Sequence, residues 1–340
     1  MIGISTALMA LCVACSSGSE STDGGGPEQV LVRTGATVEA YDVPMLHAEA
    51  LGYFEDEGLD VDIKQGAGSA GTVKVVGTKK ADIGVVDLAT MASGVAEGVE
   101  VKGIAGVFQN TPLSTIYLKS SGFTSPDDLK GKTVGNAPDS AGSTFMPAWR
   151  SAVGLEESDF KEVLTGLGSL QQALVSGRVD SYVSYAVYEV PKLNHSLGAE
   201  ADAFDWGDEL DMIGLGLIAN DETISENPEM LKKFLRAYAK GYTAAAADPQ
   251  AGCKSVLDAF PQAAGASAAT CEEGWIRAQQ LQFSDATERQ PLLWMAPETW
   301  ESTLETMAEY TGLDTDKPAT DFYTNDLVDD VEKPARPDLP

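Results

Sequence analysis

Histidine is nearly absent from this 340-residue chain: only His47 and His195 occur. No GxSxG sequence accompanies them, so the residues needed for a Ser-His-acid or Cys-His nucleophile are missing. Cysteine is almost as scarce: Cys12 and Cys15 stand near the N-terminus, and neither Cys253 nor Cys271 has a CxxC partner, which removes the usual structural zinc patterns. Positive charge is also short, at 23 Lys and Arg against 52 Asp and Glu. The resulting formal charge of −29 repels phosphate backbones and excludes nucleic acid as a partner. The acid is spread along the chain and reads as a solvated surface. Beyond the N-terminus no apolar run is long enough to cross a bilayer. No enzymatic activity, cofactor or metal is expected from this inventory.

What is present begins with an apolar run over 2–13 that stops at Ala14 and Cys15 and gives way to a polar stretch, SSGSESTDGGGP, over 16–27. That pattern is expected of a lipoprotein export signal over 1–14, with Cys15 as the acylated residue and 15–28 as a flexible tether. Two departures stand out: Cys12 lies where leucine is usual, and no Lys or Arg precedes the run. The expected location is the outer face of the cell membrane. Cys253 and Cys271 then form an even pair, expected as a disulfide contributing roughly 3 kcal/mol in an oxidising compartment.

From residue 29 short β-rich runs alternate with helical patterns. Strands are expected over 30–34, 59–63, 82–86 and 101–107, with helices over 44–57, 70–76 and 90–97. A second round has strands over 115–118, 133–136, 162–165 and 179–184, a short helix over 126–129, and helices over 142–153 and 170–175. This is βαβ logic, predicting two α/β lobes with mainly parallel sheets. From 225 the pattern turns helical, with Asn227 and Pro228 as cap and first residue and Leu231, Phe234, Leu235, Tyr238 and Tyr242 on one buried face. A further helix is expected over 297–310. Residues 66–71, GAGSAG, spell GxGxxG with Asp87 following, but on the second strand of their unit and behind an export signal. They are read as a Gly-rich turn facing a cleft rather than a dinucleotide site.

Four phrases in order carry a family resemblance: YDVPMLHAEALGYFEDEGLDV (41–61), ADIGVVD (81–87), SPDDLKGKTVG (125–135) and ALVSGRVD (173–180). They resemble the ABC-importer solute-binding proteins that serve nitrate, sulfonates, taurine and thiamine pyrimidine precursors. The resemblance implies a bilobed, periplasmic-binding-protein-like (type II) fold with two crossovers, a monomer that hands a small solute to ABC permease subunits. Lobe one would be 29–113 with 217–340 and lobe two 114–216, with hinges near 111–114 and 214–219.

The pyrimidine-precursor branch looks closest, through FQNTPL (108–113), YEVP (188–191) and FYTND (322–326). It implies an aminopyrimidine ligand, with Glu189 facing it and Gln109 beside the hinge. Against that, Ser140, Gly142, Ser143 and Thr144 open a helix that suits a sulfonate or carboxylate, or is simply capped. Tyr41, Phe108, Trp149, Tyr185 and Tyr188 are candidate aromatic walls. Asp42 and Asp87 are candidate polar contacts or caps, and His47 is expected to be structural. Intracellular eukaryotic relatives that make the pyrimidine from their own histidine, with iron, resemble this chain in fold. Their cysteine-rich motif is not found here.

Overall fold

The computed structural model describes residues 26–138, 140–263 and 267–333. The export segment, Cys15 and most of the tether lie outside these residues. β1 (Glu28–Arg33) leads through α1 (Val43–Ala50) and α2 (Tyr53–Asp56) to β2 (Leu59–Lys64). α3 (Ser69–Gly77), β3 (Ile83–Asp87), α4 (Leu88–Ala96) and β4 (Val101–Gly106) follow. The chain then crosses to β5 (Leu113–Leu118), β6 (Thr133–Asn136), α5 (Ala141–Ala152), β7 (Lys161–Leu164), α6 (Leu170–Val175), β8 (Ser181–Tyr185), α7 (Ala186–Pro191) and β9 (Ala201–Asp205). It returns through β10 (Leu215–Asn220) and finishes in α8 (Asp221–Glu226), α9 (Pro228–Ala247), α10 (Pro249–Ala259), α11 (Ala268–Leu281) and α12 (Pro297–Thr311). No helix among the described residues is long and apolar enough to cross a membrane.

The strands form two sheets, ordered β2-β1-β3-β10-β4 and β7-β6-β8-β5-β9. In each, four strands point one way and a single strand opposes them: β10 lies antiparallel between β3 and β4, and β5 antiparallel between β8 and β9. Both reversed strands are the ones that arrive from the other lobe. They enter at the edge where the co-directional strands end, so they can only run back against them.

The crossings are residues 107–112 and 206–214, not the second hinge expected at 214–219. That stretch is mostly β10, buried along its whole length. Leu215 and Gly216 pair with Asp87 and Val86, and Leu113 pairs with Tyr185, so both lobe limits expected from the sequence move by a residue or two. The crossings lie side by side, with the Gly214 N–H donating to the Phe108 carbonyl at 3.2 Å. A Cβ at residue 214 would sit 2.3 Å from the Asn110 carbonyl oxygen, so only glycine permits this approach.

The helix expected over 44–57 is two helices. Gly52 takes φ 76, a left-handed conformation that ends the first and lets the second start at a new angle. This turns Phe54 inward to stack on Phe234 of α9, ring centroids 4.8 Å apart. Asn227 occupies the cap position of α9, but its amide is spent on Glu28 rather than on the helix.

Three apolar clusters hold the molecule. One fills the space between the first sheet and helices α1, α9, α10 and α11. A small one lies under the second sheet. The third runs between the lobes, where Trp149 of α5 stacks on Trp206 at 5.0 Å and Met295 and Trp300 join from the first lobe. Cys253 of α10 and Cys271 of α11 are disulfide-bonded, Cα atoms 5.7 Å apart.

Candidate functional site: the cleft between the sheets

The ends of the co-directional strands of both sheets face each other, where α/β folds present ligand sites. Between them lies a cavity of about 220 Å³. The first sheet supplies Gly35, Tyr41, Gly68, Ser69, Val85 and Leu215 to its wall; the second supplies Leu113, Ser140, Gly142, Ser184, Tyr185 and Tyr188. Among the described residues, no charged side chain lines it. A volume of about 150 Å³ accepts benzene, so this one suits a single substituted ring and not a fused tricycle.

Each wall has a local cause. Tyr41 sits in a 3₁₀ turn, Ala40–Asp42, boxed in by two reciprocal bonds: the Glu39 N–H donates to Asp42 Oδ2 at 3.0 Å and the Asp42 N–H donates back to the Glu39 carbonyl at 3.0 Å. α3 starts immediately after Gly68, whose φ of 109 suits glycine and brings bare backbone to the cavity. α5 starts at Ser140, which exchanges hydrogen bonds with Ser143 in a second such box. Two helix N-termini, one from each lobe, thus reach the cavity with their free N–H groups.

The tyrosines form the aromatic part. Tyr41 and Tyr188 approach to 6.4 Å across the cleft, and Tyr185 meets Tyr188 at 5.8 Å. Burial pushes the Tyr41 and Tyr185 hydroxyls well above their usual range, and raises Tyr188 as well, so all three act as neutral hydrogen-bonding groups.

The cleft therefore gathers Tyr41, Ser140, Gly142, Tyr185 and Tyr188 from the residues singled out in the sequence. The others lie elsewhere. Phe108 is fully buried behind Tyr41, edge-on at 6.0 Å, and supports it. Gln109 donates to the carbonyls of Gly106 and Trp294, at 3.2 and 3.0 Å, inside the first lobe. Asp87 caps α4, accepting both the N–H and the hydroxyl of Thr90. Asp42 is buried beneath the Tyr41 turn, and burial raises its carboxyl to about 7. Ser143 and Thr144 bond back to the Ser140 carbonyl as capping residues. Trp149 is core. Glu189 accepts from Tyr182 at 2.8 Å and from Gln171, and is not among the lining residues.

Ser69, Ser184, Glu39 and Lys192 were not singled out. Ser69 stood inside the GAGSAG phrase, which was the available signal; Ser184 and Lys192 flank YEVP without a motif of their own. A larger hollow, about 500 Å³, lies beside the crossings and is rimmed by Asp205, Asp208, Asp211, Asp285 and Glu298. Of the strand ends, Asp205 of β9 reaches it. The iron of the enzyme branch finds no matching ligand set: among the described residues no group of three His, Cys, Asp or Glu could hold a metal. His47 is bonded to Ser255 and His195 to Glu273.

The fold has many solved counterparts. The alkanesulfonate-binding protein SsuA of Xanthomonas axonopodis pv. citri, bound to MOPS, superposes with a TM-score of 0.65 at 12% identity, over 88% of this chain and 99% of that one. The aliphatic sulphonate-binding SsuA of Escherichia coli gives 0.67 at 12% identity, over 87% and 92%. The nitrate-binding NrtA of Synechocystis PCC 6803 gives 0.62 at 14% identity, over 89% and 88%. Curated relatives carry a different name. The 4-amino-5-hydroxymethyl-2-methylpyrimidine phosphate synthase THI13 of Saccharomyces cerevisiae is 26% identical over 65% of this chain and 68% of its own length. The Legionella pneumophila synthase of the same name is 26% identical over 65% and 71%.

These relatives overturn the expectation that the chain is not an enzyme, since they are named as enzymes. Scarcity of histidine excludes hydrolase-type triads and leaves other chemistries open. The NMT1/THI5-like family model matches residues 39–252, which takes in both walls of the cleft, and the chain belongs to that family.

Proposed function

We propose that this chain is the extracytoplasmic solute-binding receptor of an ABC importer, anchored through an acylated Cys15, and that its cleft captures a neutral aminopyrimidine of the thiamine-precursor type. The observation that carries the reading is the cleft itself: about 220 Å³, three tyrosines and, among the described residues, no charged lining side chain. A flat, uncharged ring gains from stacking and from hydroxyl partners there. Nitrate would leave the tyrosines unused. A sulfonate or aromatic carboxylate would be held by the two helix N-termini and the hydroxyls of Ser69 and Ser140, without a cationic side chain, and is the alternative ligand class. Glu189, engaged with Tyr182 and Gln171, no longer supports the aminopyrimidine reading.

Calorimetric titration of the purified full chain with 4-amino-5-hydroxymethyl-2-methylpyrimidine, MOPS, taurine and nitrate tests this. Binding of the pyrimidine alone, lost by more than tenfold in Tyr188→Ala, is the expected result; binding of MOPS or taurine alone overturns the aminopyrimidine assignment and leaves the receptor. Incorporation of labelled palmitate, abolished by Cys15→Ser, tests the anchor.

A second reading, synthesis of the pyrimidine, is favoured by the names of the curated relatives. Expression in the cytosol of a pyrimidine auxotroph tests it directly: growth without added pyrimidine supports the synthase, and growth only with the pyrimidine supplied supports the receptor.

A further inference from the structure

α7 does not end as an ordinary helix. It continues into one π-helical turn, Lys192–Ser196. Such turns re-aim side chains relative to the helix before them and recur at functional sites. Here three of the five side chains reach carboxylates carried by the first lobe. Lys192 Nζ lies 2.8 Å from Glu39 Oε1, Asn194 Nδ2 3.2 Å from Glu273 Oε1, and His195 Nε2 2.8 Å from Glu273 Oε2. Glu273 sits on α11, and Glu39 directly precedes the turn that presents Tyr41.

The inner pair differs from the outer ones. The Lys192 and Glu39 side chains are only 20% and 10% exposed. Lys192 Nζ also stands 4.6 Å from the centre of the Tyr188 ring, a cation–π contact on a residue of the cleft wall. The main chain of Glu39 in turn makes both bonds to Asp42 that fix the Tyr41 turn. One ion pair thus reaches both tyrosines that meet across the cleft, from behind.

We propose that this π-helical turn is a lobe-to-lobe latch, and that Lys192 is a positioning residue that couples closure of the cleft to the setting of its tyrosine wall. Glu39 and Lys192 belong to opposite lobes, so the lobes cannot separate without parting them. Lys192 and Tyr188 share one helical segment and stay together. Opening therefore leaves the cation on Tyr188 and frees Glu39 to water, and closing restores the shared arrangement. An ion pair of this kind is close to neutral in net stability, because desolvation opposes attraction, which suits a contact that must be made and broken. The latch holds the closed arrangement in the ligand-free chain and does not depend on which ligand enters.

The test compares wild type, Lys192→Glu, Lys192→Arg and the exchange Glu39→Lys/Lys192→Glu, each checked by thermal melting for an intact fold. Small-angle scattering of the ligand-free full chain should show an expanded particle for Lys192→Glu and wild-type dimensions for Lys192→Arg and the exchange. Titration with 4-amino-5-hydroxymethyl-2-methylpyrimidine rests on the proposed function; there Lys192→Glu should bind about tenfold more weakly, chiefly through faster dissociation, and Lys192→Arg should bind as wild type does. Identical scattering of all four proteins, or an exchange variant as expanded as Lys192→Glu, overturns the latch. If wild type ignores the pyrimidine, the ligand assignment fails while the scattering result still decides the latch.

Discussion

The two lobes have the same sheet and very different surroundings. Reading β2-β1-β3-β10-β4 beside β7-β6-β8-β5-β9 gives one order written twice, with the reversed strand in the same place. Yet the first sheet is packed under a broad cluster that includes Leu231, Phe234, Leu235 and Tyr238 of α9, whereas the second has a small cluster around Ile116, Leu170 and Tyr182. Its edge strand β7 is buried nowhere along its length. The second lobe therefore leans on the tryptophan cluster between the lobes for much of its burial. Equal topology does not imply equal stability, and the thin lobe is stabilised at the joint rather than at its own centre.

The largest test of that comparison is Trp206→Ala. It removes a fully buried indole stacked on Trp149 and the N–H···O bond to Thr115 at 2.9 Å, and should destabilise by about 3–5 kcal/mol. Denaturant unfolding should become two-stage, with the second lobe going first; a single unchanged transition would show that the lobe stands by itself. Asp42 tests the first lobe. Burial raises its carboxyl from 3.8 to about 7. A folded-state value above the unfolded one means the contribution is complete below about pH 4 and is lost as pH rises through about 7, for a total of about 4 kcal/mol. Asp42→Asn should flatten the fall in stability between pH 4 and 8, read by urea midpoints at several pH values.

The disulfide comes next. Its ends are 18 residues apart, so Cys253→Ala/Cys271→Ala should lower stability by roughly 3 kcal/mol and move only the first-lobe transition. The smallest effect is expected at Leu164, 60% exposed at the end of β7. Leu164→Thr should change the unfolding midpoint by under about 0.5 kcal/mol, since nothing packs over that side chain to be lost.

How much of this was legible follows from what each signal encodes. β6 and α6 were readable to the residue because turn residues bound them on both sides. β10 was not, although its sequence, LGLIAN, is apolar up to its last residue: Gly214 and Gly216 made it look like a hinge. The structure gives those glycines another purpose, since a Cβ at Gly216 would lie 2.5 Å from the Ala105 carbonyl oxygen. Glycine marks close strand approach as often as bending, and the sequence does not say which. Ser140 and Gly142 were legible at the cleft because a helix start has a local signature. The Lys192–Glu39 contact was not, because it joins residues 153 apart through the closure of two lobes.

The adjacency of the two crossings also orders events during synthesis. Residues 113–205 contain all five strands of the second sheet in one continuous piece, whereas the first sheet needs β10, made only after that piece is finished. A chain emerging N-terminus first can complete its thinner lobe early. Meanwhile β3 and β4 wait without their shared neighbour for on the order of ten seconds at translation rates of about 5–20 residues per second. The better-packed lobe is thus the later one to close, and for that interval its half-built sheet is the part of the nascent chain with an open edge.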